Sequence, residues 1–180
     1  MRTLALAALA ALLAGCGGND VPSPAERQAG AEAGAEIDEE LVALHSQGLV
    51  AGAESFFFSA GQAEVTAALE DVLGEAGEAS MNDECGAGPM AMVRYPGDLH
   101  VHFQDERLVG WRLGESAVNI EVDADVALGT PQAQAKAAPG FAPIKGSTLG
   151  DEFIVGDELG GFIEDGEVAM LYAGTQCFFR

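Results

Sequence analysis

The chain has 180 residues, 48% of them hydrophobic, so it is long enough to bury the core of one domain or of two very small ones. It carries 29 acidic and 8 basic residues, which gives a formal net charge of −21 at pH 7. Such a charge repels phosphate backbones and anionic lipid headgroups, which argues against a nucleic-acid partner and against peripheral binding to a lipid surface.

The first fifteen residues have the organisation of an export signal. A short basic start precedes an unbroken run of Leu and Ala, which has about the length of a secretory signal core and is too short to span a bilayer as a mature helix. The sequence Leu13-Ala14-Gly15-Cys16 resembles the lipobox of bacterial lipoproteins. That resemblance implies cleavage before Cys16 and its acylation. The alternative is an ordinary signal peptide with a chance cysteine.

The same resemblance implies a location. Gly17 follows the cysteine, whereas Asp at that position usually accompanies retention at the inner membrane. We therefore expect export and lipid anchoring at the outer membrane, facing the periplasm, or at the outer face of the plasma membrane in a monoderm host. Loss of the signal leaves 7 basic and 29 acidic residues, about 22 net negative charges, so attachment depends on the acyl chains.

Cys85 and Cys177 remain once Cys16 is assigned to the lipid. In an oxidising compartment the default prediction is a disulfide between them. The bond would close a loop of roughly 90 residues, for which the chain-entropy model gives about 4–5 kcal/mol. A nucleophilic Cys85 is the weaker alternative, because Asp83 and Glu84 beside it would raise the pKa of the thiol.

Composition and self-similarity divide the mature chain into three parts. Residues 16–36 comprise the acylated cysteine and a flexible tether, because this segment is rich in Gly, Ala, Pro and Glu. We predict a first repeat with a leading short helix over 37–118 and a second repeat over 119–180. The repeat is clearest where 99–113 aligns with 159–173, at an offset of 60 residues.

Each repeat is expected to contain a helix followed by a three-stranded antiparallel meander. Ile37, Leu41 and Leu44 have helical spacing and predict the leading helix. Ser59 with Gln62 predicts a capping box for the first main helix. The predicted elements are a helix over 37–44, a strand over 54–58, a helix over 59–73 that ends at Gly74, a turn-rich segment over 75–89, strands over 90–95, 99–103 and 107–113, a strand over 119–125, a brief helix from Thr130-Pro131 to 139, and strands over 152–155, 159–164 and 167–172.

The helix that begins near Ser59 and ends at Gly74, with the meander behind it, resembles the repeat of small bacterial lipoproteins of the outer-membrane-assembly type. The tandem arrangement over residues 54–177 resembles the secreted β-lactamase inhibitory protein. Aligning 58–61 with 126–129 gives an offset of 68 for the helices. The resemblance implies protein binding without catalytic residues. The expected fold class is α+β: two tandem helix-plus-meander repeats in two layers.

His100 and His102 lie two residues apart on a predicted strand and share a face with Asp98. Two imidazoles beside a carboxylate could hold zinc. Alternation alone also places polar side chains toward solvent, and we favour that interpretation.

Glu121, Asp123 and Asp125 alternate along another predicted strand and could attract calcium or a basic partner. No loop has the ligand spacing of an EF-hand, so we interpret these carboxylates as a solvated strand edge that discourages edge-to-edge pairing. We predict no metal site and no cofactor.

The sequence gives no support for catalysis. His45, His100 and His102 stand in no hydrolase motif, and neither a nucleophile elbow nor a phosphate-binding loop is present. We interpret Trp111 and the aromatic runs 56–58 and 178–179 as core. The leading hypothesis is a non-catalytic envelope lipoprotein that binds a protein partner with a basic patch or assists envelope assembly. The alternative is small-molecule or metal-ion binding in a cleft between the repeats.

Overall fold

The computed structural model describes residues 40–75, 77–156 and 158–178. Within these ranges the chain forms a four-stranded sheet in the order β3-β2-β1-β8 and an eight-stranded sheet in the order β4-β5-β6-β7-β12-β11-β10-β9. The strands are β1 Val42–His45, β2 Gly48–Ala51, β3 Glu54–Phe57, β4 Glu78–Asn82, β5 Met90–Tyr95, β6 Leu99–Gln104, β7 Arg107–Leu113, β8 Ile120–Val122, β9 Ala142–Pro143, β10 Asp151–Val155, β11 Leu159–Glu164 and β12 Glu167–Gly174. The helices are α1 Gln62–Leu73 and α2 Gln132–Ala135, and one 3-10 turn spans Pro96–Asp98.

The predicted α+β class is wrong. Among the described residues strands far outnumber helices, and α2 has only four residues, so no second main helix covers the sheet. Instead of a second helix, the four-stranded sheet packs beside α1. It contributes Val42, Leu44 and Leu49 to the same buried core as Trp111. The fold is therefore mostly β, with two sheets packed on one core.

The predicted leading helix is also wrong where the structure describes it. Residues 42–45 form β1, which pairs antiparallel with β2 and parallel with β8. Val42 and Leu44 are fully buried and alternate with partly exposed neighbours, which is the period of a strand. Three further strands, β2, β4 and β9, lie where no strand was predicted.

The predicted helix over 59–73 is confirmed as α1, which begins three residues later at Gln62. Val65 and Leu69 are its buried residues, and Gly74 ends it in the left-handed conformation with φ 74°. The predicted capping box is wrong, because Gly61 is the N-cap and no side chain caps the helix. Ser59 instead donates its backbone N–H to the Leu108 carbonyl.

The strands predicted over 90–95, 99–103 and 107–113 are confirmed as β5, β6 and β7. Those predicted over 152–155, 159–164 and 167–172 are confirmed as β10, β11 and β12. The hairpins β6–β7 and β11–β12 both shift register at one point, between His102 and Phe103 and between Phe162 and Ile163. Direct antiparallel pairing of β7 with β12 makes the two meanders one continuous sheet.

The segments that lead into the two helices make equivalent backbone hydrogen bonds. Ser59 N–H donates to Leu108 O and Gly129 N–H donates to Val168 O, at 2.7 and 2.8 Å. These contacts relate the helix segments at an offset of 70 residues, which corrects the predicted 68. Val65 and Ala135, both fully buried, are equivalent at this offset.

Trp111 connects the two sheets. Its indole is fully buried on the face of the eight-stranded sheet that carries the core, and Nε1–H donates to the His45 carbonyl oxygen at 2.9 Å. We call this face of the eight-stranded sheet the inner face and the opposite one the outer face. No helix in the described part of the chain is long and apolar enough to cross a membrane.

Candidate binding surfaces

The outer face carries the two predicted histidines. Cross-strand pairing sets His102 between Met92 and Gly110 in one row of the sheet. The neighbouring row runs from Arg94 through His100 and Arg112 to Tyr172. Strand alternation directs both rows away from the core.

Residues 175–178, which we call the C-terminal segment, cross this outer face after β12 ends. Thr175 N–H donates to Val109 O at 2.8 Å, and Thr175 O lies 3.1 Å from His102 Nδ1. The Gln176 side-chain amide donates to the Trp111 and Ala173 carbonyls at 3.0 and 2.8 Å. The segment therefore follows the sheet closely and buries part of its outer face.

The last described residue of this segment, Phe178, packs edge-on against two aromatic rings. Its ring centroid lies 5.4 Å from that of Phe162 and 5.1 Å from that of Tyr172. Tyr172 also donates its hydroxyl to the buried Glu152 carboxylate at 2.6 Å. The aromatic contacts extend the attachment of the C-terminal segment to β11 and β12.

The structure brings the two predicted disulfide partners together. Cys85 is buried, and its thiol contacts that of Cys177, although both are present as free cysteines. Burial raises the pKa of Cys177 to about 11, and the hydrogen bond and charge of Cys85 act in the same direction. Asn82 also donates its amide to Cys177 Sγ at 3.2 Å. The disulfide itself stays a prediction.

His102 is not on a solvent face, and that part of the prediction is wrong. Its side chain is only 2% exposed, because the C-terminal segment covers it. Burial lowers the pKa of His102 to about 4, so the ring is neutral at pH 7. Since a carbonyl only accepts, the proton lies on Nδ1 and is donated to Thr175 O. Nε2 is a buried acceptor without a hydrogen-bond partner in the described part of the chain.

His100 lies in a polar cluster beside His102. Its Nε2 is 3.0 Å from Asp98 Oδ1 and 3.2 Å from an Arg112 guanidinium nitrogen. Arg94 Nε donates to the same Asp98 oxygen at 3.0 Å. One imidazole nitrogen cannot donate to the carboxylate and accept from the guanidinium at once. In any one protonation state, His100 Nε2 therefore forms a hydrogen bond with Asp98 or with Arg112, but not with both.

The pKa shifts in this cluster follow from that arrangement. Burial lowers the pKa of His100, although the Asp98 hydrogen bond opposes the shift. Burial alone would raise the pKa of Asp98, but the His100 and Arg94 hydrogen bonds and the Arg112 charge bring it below its ordinary value. Arg112 has no carboxylate within 4.0 Å in the described residues.

A cavity of about 140 Å³ lies under the C-terminal segment, next to this cluster. It is lined by Asn82, Met92, His102, Arg112, Cys177 and Phe178. Zinc is not supported there or elsewhere in the described ranges, since no three His, Cys, Asp or Glu side chains are grouped to hold a metal ion.

The strand predicted over 119–125 is shorter in the structure, because β8 ends at Val122; of the three carboxylates of the other candidate site, only Glu121 belongs to the strand. Glu121, Asp123 and Asp125 are exposed, and β8 is an edge strand of the four-stranded sheet. Asp123 and Asp125 line a wide, open depression of about 540 Å³ together with His45. The exposure of these carboxylates at a sheet edge is confirmed, and their effect on edge-to-edge pairing stays a prediction.

Exposed apolar side chains mark two other sheet edges. Met81 on β4 is 63% exposed and Phe57 on β3 is 61% exposed. The interpretation of 56–58 as core is therefore wrong for Phe57, whereas Phe56 and Trp111 are buried. The sequence contains only a weak signal for β4, because Glu78–Asn82 alternates polar and apolar residues but contains no β-branched or aromatic side chain.

The predicted lipobox, Leu13, Ala14, Gly15 and Cys16, lies outside the described residues. Comparison with known proteins finds no family model, no curated protein and no solved structure that matches this chain.

Proposed function

We propose that this protein is a non-catalytic envelope lipoprotein that binds a basic protein partner by pairing with the edge strand β4. The observation that carries the proposal is the exposure of β4. Its residues from Glu78 to Met81 are exposed, and in the described part of the chain it pairs only with β5. An exposed edge strand offers a row of backbone groups to which a partner strand can add.

β4 is the most suitable of the four sheet edges. It has five residues, whereas β3 has four, β8 three and β9 two. Proline in β9 lacks a donor, which further weakens that edge. Met81 adds an exposed, adaptable apolar contact, of the kind enriched at protein interfaces.

The charge around β4 indicates the chemistry of the partner. Glu75, Glu78, Asp83 and Glu84 are exposed at the two ends of this strand. Together with the formal net charge of −21, they favour encounter with a basic partner through complementary fields. A basic partner strand would also neutralise the like charges that discourage β4 from pairing with a second copy of itself.

A photo-reactive amino acid at position 81 tests the site directly. We expect a discrete adduct in intact envelopes, weakened by high salt because the attraction is electrostatic. Met81→Lys should prevent binding, since lysine on an edge strand blocks pairing and repels a basic partner. Phe57→Lys is the matched control at an equally exposed apolar position and should leave binding unchanged. Loss of binding in the control alone would place the interface on β3 and contradict the proposal.

The anchor is proposed from the sequence alone. Cys16 would carry the acyl chains that hold the chain at the membrane. Metabolic labelling with radioactive palmitate should mark the protein, and Cys16→Ser should remove the label and release the protein from the membrane fraction. A labelled Cys16→Ser variant would refute acylation at this cysteine.

A further inference from the structure

Arg112 on the outer face is a half-buried cation that forms no ion pair with a carboxylate of the described residues. Its guanidinium lies 3.2 Å from His100 Nε2, and in the described residues the two ion pairs of this cluster both involve Asp98 and not Arg112. The Arg112 charge acts on nearby Asp98, but no carboxylate of the described residues hydrogen-bonds to the guanidinium, which leaves N–H donors for another acceptor. Arginine binds carboxylates through two parallel hydrogen bonds, so this side chain is ready to receive one.

His102 supplies a second unused group beside it. The imidazole is 2% exposed and Nε2 has no hydrogen-bond partner among the described residues, while Nδ1 donates to Thr175 O. A buried acceptor without a donor is rare in folded proteins and calls for a water or a ligand. His102 Nε2 therefore requires an O–H or N–H donor.

Both side chains line the cavity of about 140 Å³ under the C-terminal segment. Its size is close to that of an engineered cavity of about 150 Å³ that binds benzene in another protein, so it can hold a molecule of about six heavy atoms. Met92 and Phe178 provide apolar walls for a short carbon chain. The positive charge of Arg112 disfavours a metal cation at this place.

We propose that this cavity binds a small carboxylate that also carries a hydrogen-bond donor next to the carboxyl group, as in a 2-hydroxy acid. The carboxylate would pair with Arg112, and the adjacent hydroxyl would donate to His102 Nε2. This site does not depend on the β4 interface, which recognises positive charge.

Calorimetric titration of the full chain in detergent tests the proposal with lactate as the probe. Propionate lacks the hydroxyl donor and lactamide lacks the charge, so each should bind at least tenfold more weakly than lactate. No saturable binding of lactate at tens of millimolar, which would leave water as the occupant, overturns the proposal. Equal binding of lactate and lactamide would also overturn it.

Two variants assign the contacts. Arg112→Gln should weaken lactate binding at least tenfold, whereas Arg107→Gln, on the same strand but exposed, should not change it. His102→Asn keeps a donor for Thr175 O but has no counterpart of Nε2, so it should remove the preference for lactate over propionate. Unchanged binding by Arg112→Gln refutes the site. If that variant does not fold, the comparison of lactate with lactamide in the unmodified protein decides.

Discussion

Replacing Gly110 with Ala tests how closely the C-terminal segment is held against the outer face. A Cβ atom at Gly110 would lie 2.5 Å from Thr175 O, 2.8 Å from Ala173 O and 2.9 Å from Thr175 N. All three are backbone atoms, so no change of side-chain rotamer relieves the overlap. The C-terminal segment, which is the end of the described chain, must move away from β7.

The cost of this movement can be worked from the contacts. Overpacking of a close-fitted site costs about 1–3 kcal/mol. Moving the segment also weakens the bond from Thr175 N–H to Val109 O at 2.8 Å and the one from His102 Nδ1 to Thr175 O at 3.1 Å. With each bond worth about 1 kcal/mol net, we expect Gly110→Ala to lower the free energy of unfolding by about 2–4 kcal/mol.

Urea unfolding measures this loss, and the alkylation rate of Cys177 in the presence of a phosphine reductant measures the displacement of the segment. Gly86→Ala is the matched control, because a Cβ at Gly86 meets no atom of the described residues within 4 Å. We expect the control to stay within about 0.5 kcal/mol of the parent. Equal stability and equal alkylation rates in the two variants would refute this account of the outer face.

Reduction of the proposed Cys85–Cys177 disulfide should lower the free energy of unfolding by up to about 4–5 kcal/mol, and Cys85→Ser should match the reduced protein. An unfolding midpoint that reductant does not change would show that the bond is absent. The pKa of His102, lowered from 6.5 to about 4, means that the unfolded chain binds more protons in this range, so stability present above pH 6.5 should be lost as pH falls toward 4. The difference between the parent and His102→Asn, about 3 kcal/mol over this window, isolates the effect, and parallel stability curves would contradict it. Trp111→Phe should cost about 1–3 kcal/mol in urea unfolding, because the His45 carbonyl loses its donor at 2.9 Å. A cost below about 0.5 kcal/mol would show that this bond does not hold the two sheets together.

Short runs of strand-forming residues between turn signals made the strands of the two meanders predictable. Leu99, Val101 and Phe103 are 0%, 0% and 1% exposed, as their spacing implied. The end of α1 was predictable from Gly74 for a local reason, since only the backbone of glycine adopts that conformation without strain. Such signals depend only on residues close in sequence, so contacts with distant parts of the chain do not change them.

The fold class was not predictable in the same way, because it depends on contacts between distant residues. Leu41 and Leu44 fit a helical spacing, but residues 42–45 form a strand whose parallel partner is β8, more than seventy residues away. β4 escaped notice because Glu78–Asn82 contains no β-branched or aromatic residue, the types enriched in strands. Tertiary pairing decided both elements, and propensity did not.

Predictions for the candidate site also succeeded where the signal was local or compositional and failed where distant residues meet. The pairing of Cys85 with Cys177 was predicted from cysteine count and compartment, and the structure places the two thiols in contact. His102 was predicted on a solvent face because its own strand exposes alternate residues. It is buried by the C-terminal segment, 73 residues further along the chain, and a strand pattern contains no information about what covers its open face.

Charge separates the two proposed binding functions and makes their tests independent. Glu78, Asp83 and Glu84 surround β4, whereas Arg94 and Arg112 belong to the outer face of the same sheet. The positive charge of a basic partner strand therefore disfavours its entry into the cavity, and the negative charge of a small carboxylate disfavours its binding at β4. Met81→Lys should abolish partner binding and preserve lactate binding, and Arg112→Gln should do the reverse. If either variant abolishes both, the two surfaces are one site, and the partner rather than a free acid fills the cavity.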